Sequence, residues 1–334
     1  RDYLAGYSDF NNELEDHLET KTPEWASAIS GVSAEEIIEF ARLIGCNPKT
    51  YYRFGYGFTR SRNGAFNMHA ASCLPAMTGA WKYKGGGGLY SNSELCKLDK
   101  TMIVGSDVVD PDTRVLDQSR IGEILCGNPV DLQGGPPITA LLIQNTNPMM
   151  VSPSSVKVKK GFERDDLFVC VHEQFLTETA AMADIVLPAT TFLEHEDIYV
   201  AGGHTFLQVT KPVIQPYADA KHNHFVICEL AKRLGAQHAG FKMTAWEIID
   251  ETLKLSGFPD AETIHQQHWL DCARDFDEAH FLTGFETPDK KFHFSPNWSR
   301  SGKINATLPK FPDHYAVTDT RSDIKPFRLV TAPA

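Results

Sequence analysis

No C-x-x-C pair occurs in this sequence, which removes the zinc and iron–sulfur sites that such spacing builds. The seven cysteines (Cys46, Cys73, Cys96, Cys126, Cys170, Cys228 and Cys272) are scattered, so no disulfide framework is expected. Cys170 falls in an expected strand and Cys228 in an expected helix, where an isolated thiol packs as a small hydrophobe. There is no G-x-G-x-x-G, the usual NAD or FAD fingerprint, and no G-x-x-x-x-G-K-S/T, the phosphate loop of ATP and GTP hydrolases. No apolar run approaches the roughly 20 residues that span a bilayer. The net charge is −11 and no basic run interleaves with aromatics, so nucleic acid is not an expected partner. Thirteen histidines raise the question of metal, but none has ligand spacing. His222 and His224 sit two apart on an expected helix, and Glu194, His195, Glu196 and Asp197 are adjacent residues that diverge. No complete metal site is expected within the chain.

What is present is the composition of an ordinary globular protein, 42% hydrophobic and 22% charged, which argues against disorder. A chain of 334 residues holds two or three domains, or one large domain with appendages. It starts at Arg1 in RDYLAGYSDF and ends in KPFRLVTAPA, with an apolar strand expected over residues 327–330. It therefore reads as the middle of a longer polypeptide, and export is left open between cytoplasm and periplasm.

Residues 138–188 are the most informative stretch. The runs ITALLIQ, LFVCV and IVLP are continuous, apolar and separated by helix-length segments. That pattern predicts βαβ units, an α/β fold and a parallel, Rossmann-like sheet with flanking helices, buried on both faces. Ligands of such sheets sit beyond the carboxyl ends of the strands. The first run delivers Asn145, Thr146 and Asn147 there; the second delivers His172 and Glu173, followed by Thr177 and Thr179.

Elsewhere, residues 22–45 read as helical, with Thr22-Pro23 as a start, Ser33 to Glu36 as a capping box and Gly45 as a stop. TYYRFGYG reads as a strand ending in Gly55 and Gly57, with Arg60 and Arg62 on the loop beyond. A helix kinked at Pro75 comes next. Residues 85–137 read as a long loop region with short helices such as IGEIL. Residues 221–235 and 244–256 read as helices, and ETPDKKFHFSPNW as a hairpin after a boundary near residue 285. No internal repeat is evident.

Several residues could do chemistry. A carboxylate just past a parallel strand, Glu173, accepts from two ribose hydroxyls or from the N1–H and N2–H₂ edge of guanine; otherwise it is a solvated loop charge or a helix cap. Asp184 opens the third strand and either serves the same ligand or pairs with a helix terminus. Asn145, Thr146 and Asn147 either form a self-satisfied turn or bind a pyrophosphate or ribose. Residues 85–88 are four glycines, read as a flexible loop or as backbone approached closely by a ligand or another chain. Arg60 points into a cleft or is an ordinary surface arginine.

The series GYGFTRSRNG, LPAMTGAWKYKGGGG, NTNP, HEQFLTETAAMADIVLPATTFLEHED and ICELAKRLG resembles the molybdopterin oxidoreductases. These are the bis-molybdopterin guanine dinucleotide enzymes that include DMSO reductases, formate dehydrogenases, nitrate reductases and polysulfide reductases. The resemblance covers roughly residues 20–330. Its most specific part is Thr177-x-Thr179-Ala-x-x-Ala-Asp184-Ile-Val-Leu-Pro188, followed by Glu194 and Asp197.

The resemblance implies a large subunit of several domains around two pterin dinucleotides and a molybdenum or tungsten ion. In that frame Asn145, Thr146 and Asn147 touch a phosphate–ribose portion, Glu173 takes guanine or ribose with Thr177 beside it, and His172 and Asp184 join the cofactor-binding set. Arg60 lies near the pterin and the substrate funnel. The expected division is 1–62, the helix-rich tail of a preceding α/β domain; 63–235, an α/β domain binding a molybdopterin guanine dinucleotide; 236–285, a helical extension; and 286–334, a linker and the start of a truncated β-rich domain. The cysteines of an N-terminal 4Fe–4S cluster are absent, and the metal's side-chain ligand is expected upstream. The chain alone is thus expected to hold no metal and to be inactive, its partners being the remaining domains of the polypeptide, iron–sulfur electron-transfer subunits and a small-molecule substrate. The full enzyme would carry out two-electron redox or oxygen-atom transfer. The alternatives are a non-catalytic relative, such as the large iron–sulfur subunit of NADH dehydrogenase, and an α/β assembly module.

Overall fold

The computed structural model describes residues 2–57, 59–60, 63–92, 95–301, 305–314 and 321–327. The chain divides into two compact units, Arg1–Asn92 with Ala273–Ala334, and Ser93–Cys272. These bounds differ from the four segments expected, because residues 63–92 stay with the first unit and the chain from Ala273 onward returns to it. Phe292, Phe294 and Phe311 pack on Leu4, Phe10, Leu14 and Cys73. The expected hairpin of residues 286–298 does not form. Phe292 instead bridges Ser8 in parallel, and the Asp9 carboxylate accepts from the Phe294 amide at 2.7 Å. Arg62 and the expected strand beyond Phe327 lie outside the described residues.

The first unit is built from helices whose ends are written locally. Pro23–Ser30 starts with the Thr22 hydroxyl accepting from the Trp25 amide at 3.2 Å and stops at left-handed Gly31. Ala34–Cys46 carries the capping box between Ser33 and Glu36. It runs through Gly45, the expected stop, and ends at Asn47. Strand β1 (Tyr51–Arg53) is shorter than expected. It pairs in parallel with β2 (Gly87–Leu89), so the last two of the four glycines lie in a strand, while Gly85 stays in a turn. A Cβ at Gly87 would collide with the Trp81 ring, and one at Gly88 would lie 2.7 Å from Phe54. The close approach anticipated for these glycines is thus made by the unit's own aromatics.

The second unit opens with short helices at Thr101–Val104 and Ile121–Leu125. Its parallel sheet consists of β3 (Ala140–Gln144), β4 (Phe168–Glu173) and β5 (Ile185–Pro188) in that order. Ile143, Val169 and Val171 are buried against Leu125, Val158 and Phe162 from helices Ile121–Leu125 and Ser155–Phe162. The opposite face is not sealed. Leu142, Phe168 and Ile185 are 39%, 49% and 45% exposed. They line a groove of about 820 Å³ with Phe225, Val226 and Leu230 of helix Asn223–Leu234. The expectation of equal burial on both faces therefore fails, since that helix covers the sheet only in part.

Residues 197–271 add an antiparallel sheet that periodicity did not reveal: β6 (Asp197–Tyr199), β7 (Phe206–Thr210) and β8 (Leu270–Asp271). Leu207 and Val209 pack on Ile249 and Leu253 of helix Ala245–Leu255 and on Ile264 of helix Ala261–Gln267. The stretch expected as a helical extension is therefore part of a sheet-and-helix layer. Among the described residues no helix is long and apolar enough to cross a membrane.

Candidate functional site

Strands β3 and β4 are parallel, with Gln144 opposite His172, so the residues after each emerge at the same sheet edge. Asn145 adopts φ +59°, a left-handed conformation that Asn tolerates better than most residues, and the chain turns there. Asn145 and Thr146 are exposed. Pro148 then starts a short helix, Pro148–Val151, at the position where a missing N–H costs nothing.

Asn147 ties this turn to the loop after β4. Its Oδ1 accepts from the Thr179 hydroxyl at 2.6 Å and the Thr179 amide at 3.3 Å, and its Nδ2 donates to Glu178 at 2.8 Å. That bond and its own backbone amide hold the Glu178 carboxyl below the ordinary glutamate range. Thr179 is fully buried, and its oxygen accepts from the Met149 amide at 3.1 Å. Asn147 is thus a strut between two loops, its amide spent within the protein.

The groups left facing outward differ. Glu173 is half-buried; its Oε1 accepts from the Gln174 amide at 2.7 Å, and its Oε2 has no partner among the described residues. The Thr177 oxygen accepts from the Ala180 amide at 3.2 Å, which leaves its O–H free to donate. Asn223 donates to the Asn145 oxygen at 3.4 Å, so the first turn of helix Asn223–Leu234 stands beside the same edge. Sequence reasoning missed Asn223. The signal was there, since a polar His222-Asn223 step before an amphipathic run marks a helix start, and the His222 ring does accept from the Phe225 amide.

Three expected residues are placed otherwise. His172 is fully buried, donating from Nε2 to the Lys221 carbonyl at 2.9 Å and accepting at Nδ1 from Gln144 at 3.1 Å. Both ring nitrogens are used, so it braces the sheet edge from within. Asp184 stands at the amino end of β5, accepting from the Val169 amide at 2.7 Å. Val169 lies in the first two residues of the strand that Glu173 ends, so the Asp184 and Glu173 carboxylates lie at opposite edges. Arg60 belongs to the first unit, on an exposed turn closed by its amide to the Gly57 carbonyl at 3.2 Å, well past the end of β1. Asn145, Thr146, Asn147, Glu173 and Thr177 lie at or beyond the carboxyl ends of β3 and β4, whereas the ring nitrogens of His172 are used within the protein, Asp184 lies at the opposite edge and Arg60 belongs to the other unit.

Glu194, a metal-ligand candidate by residue type, turns inward. It accepts from the Thr191 and Tyr217 amides at 2.7 and 2.6 Å, and these bonds hold its carboxyl below the usual 4.5. A carboxyl whose folded value is lowered contributes stability that is present above the unfolded value and lost as pH falls through the folded one. Thermal melting of the wild type and Glu194→Gln should therefore converge as pH drops below about 4.5. A gap that persists unchanged to low pH would remove Glu194 from the acid response. Among the described residues no group of three His, Cys, Asp or Glu could hold a metal ion.

Known proteins are similar to this chain in sequence or in fold. Residues 49–233 match the family model for molybdopterin oxidoreductases. "Probable oxidoreductase YoaE" of Bacillus subtilis is 38% identical over 70% of this chain and 33% of its own length. Trimethylamine-N-oxide reductase of Haemophilus influenzae is 32% identical over 70% of this chain and 31% of its own. The chain thus spans about a third of the length of these relatives. Acetylene hydratase from Pelobacter acetylenicus shares the fold, with a TM-score of 0.68 at 19% identity over 97% of this chain and 48% of that one.

Proposed function

The chain belongs to the molybdopterin oxidoreductase family, and from that premise we propose that the carboxyl-edge cleft of its second unit holds the guanine dinucleotide arm of a bis-molybdopterin cofactor. One observation carries this: the unpartnered Glu173 oxygen and the exposed Asn145–Thr146 turn share one sheet edge. The donor set fits a nucleotide. A carboxylate suits the paired donors of guanine or a ribose, while hydroxyls and an amide side chain suit sugar and phosphate. It does not suit a metal ion, for which no ligand cluster exists among the described residues. A module that held no dinucleotide would have no use for this set.

In this reading Glu173 accepts two donors from base or ribose, and Thr177 donates its hydroxyl beside it. Asn145 and Thr146 contact the phosphate–ribose portion. The amino end of helix Asn223–Leu234 adds a favourable partial positive charge for phosphate. Asn147 and buried His172 hold the two loops and the strand ends in place. Molybdenum or tungsten, carried by the pterins in the longer enzyme, would supply two-electron redox chemistry on a small substrate, including oxygen-atom transfer. The protein binds and orients that group.

The test is amide hydrogen exchange on the longer enzyme, purified with its cofactor and again after the cofactor is stripped. The cofactor should slow exchange at residues 145–147, 173–179 and 222–224. Slowing confined to other segments, with these unchanged, would overturn the assignment.

A further inference from the structure

A base read along its edge by a carboxylate still has two apolar faces. The charge-assisted bond to Glu173 is strong only where water is kept off them. Asn145, Thr146, Thr177 and Asn223 offer donors and acceptors but no such surface. Two aromatic rings follow the same sheet edge. Phe175 comes two residues after Glu173 and is 71% exposed, and Phe192 comes four residues after Pro188 and is 64% exposed. Glu173 pairs with Pro188 in parallel, so the chain leaves both strands at one edge. The two loops are joined, since the Ala189 amide donates to the Glu173 carbonyl at 3.1 Å and the Gln174 side chain to the Thr190 carbonyl at 2.8 Å. Each loop is also closed on itself. The Thr177 amide donates to the Phe175 carbonyl at 2.9 Å and the Glu194 amide to the Thr191 carbonyl at 2.9 Å. The Glu194 carboxylate in turn accepts from the Thr191 amide and hydroxyl at 2.7 and 3.0 Å. The rings are therefore exposed on hydrogen-bonded loops. One exposed phenylalanine is ordinary, but two on joined loops beside an unpartnered carboxylate oxygen call for an occupant.

We propose that Phe175 and Phe192 are the stacking platform for the purine base whose edge Glu173 reads, an inference that rests on the dinucleotide assignment above. The strand order β3, β4, β5 then lays the nucleotide out across the sheet. The phosphate–ribose part belongs with Asn145 and Thr146 after β3, the base edge with Glu173 at the end of β4, and the base faces with the rings that follow β4 and β5. A ring face stacks on any base, so the platform supplies grip, while the carboxylate supplies the choice of a base with paired donors.

Cofactor retention in the longer enzyme tests this. Phe175→Ala and Phe192→Ala should each keep roughly five- to a hundredfold less guanine and pterin after dialysis, the range for losing one aromatic stack. Both rings are exposed, so neither change should disturb folding. Phe175→Trp and Phe192→Trp keep a π-face and should retain wild-type amounts. Phe175→Leu and Phe192→Leu keep apolar bulk without that face and should lose cofactor as the alanine variants do. The introduced tryptophan should fluoresce weakly while the cofactor is bound and brighten when it is stripped. Wild-type retention in either alanine variant overturns the platform. So does wild-type retention in the leucine variants, which would assign the rings to packing against the rest of the polypeptide. Hydrogen exchange tells the two failures apart. Cofactor-dependent protection at residues 145–147 and 173–179, with wild-type retention in the alanine variants, removes the platform alone. Loss of that protection removes the dinucleotide assignment with it.

Discussion

In the longer enzyme, Glu173→Gln is expected to retain roughly ten- to a hundredfold less of the dinucleotide cofactor after dialysis. Each hydrogen bond to a charged group contributes about 1.5–3 kcal/mol, and about 1.4 kcal/mol is a tenfold change in affinity. Glutamine keeps the shape but replaces one acceptor by a donor. The Gln174 amide already occupies Oε1 of Glu173, so the oxygen that matters is the unpartnered Oε2. Cofactor content, measured as released guanine and pterin, is the readout. Normal content with lost turnover would give Glu173 a role in the reaction itself. Normal content and normal turnover would leave it a solvated loop charge.

Gly87→Ala should be costly in the first unit, about 2–5 kcal/mol in chemical denaturation. Two causes add. Gly87 has φ +93°, where a side chain costs about 1–2 kcal/mol, and the new methyl would overlap the Trp81 ring, which costs about 1–3 kcal/mol more. Trp81 cannot easily give way. Its ring meets Phe281 edge-on at 4.9 Å, and its carbonyl contacts the His280 ring at 2.8 Å. Gly85 is the control: φ is +81°, but nothing lies within 4 Å of a Cβ there. Gly85→Ala should show only the conformational part, about 1–2 kcal/mol. Equal losses in the two variants would mean that Trp81 repacks and that close approach is not what the glycine run serves.

The parallel sheet was legible because β3, β4 and β5 are each a continuous apolar run, and the residues after them had to emerge on one edge. Helix ends were legible where the cap is local, as at Ser33 with Glu36 and at Gly235. The features that escaped depend on distant partners. β7 pairs with β8 some sixty residues on, a relation no short window contains. Phe292 extends a bridge to Ser8, so its alternating neighbours looked like half of a hairpin. His172 looked ligand-facing because the segment that buries it, at Lys221, returns from far along the chain. Asp184 could have been placed correctly from order alone: a residue that precedes a parallel strand lies at the edge opposite to residues that come after one.

The first unit is completed only when Phe292, Phe294 and Phe311 reach Leu4 and Leu14. At about 5–20 residues per second, ribosomal synthesis separates Leu4 from Phe292 by roughly 15–60 seconds. Throughout that interval the opening helices have no finished core, while the whole of the second unit is synthesised within it. That unit can therefore fold during translation, whereas the first must wait until synthesis passes residue 311. Nascent chains stalled before that point should expose the amino-terminal helices to proteases and chaperones while their parallel sheet is already protected.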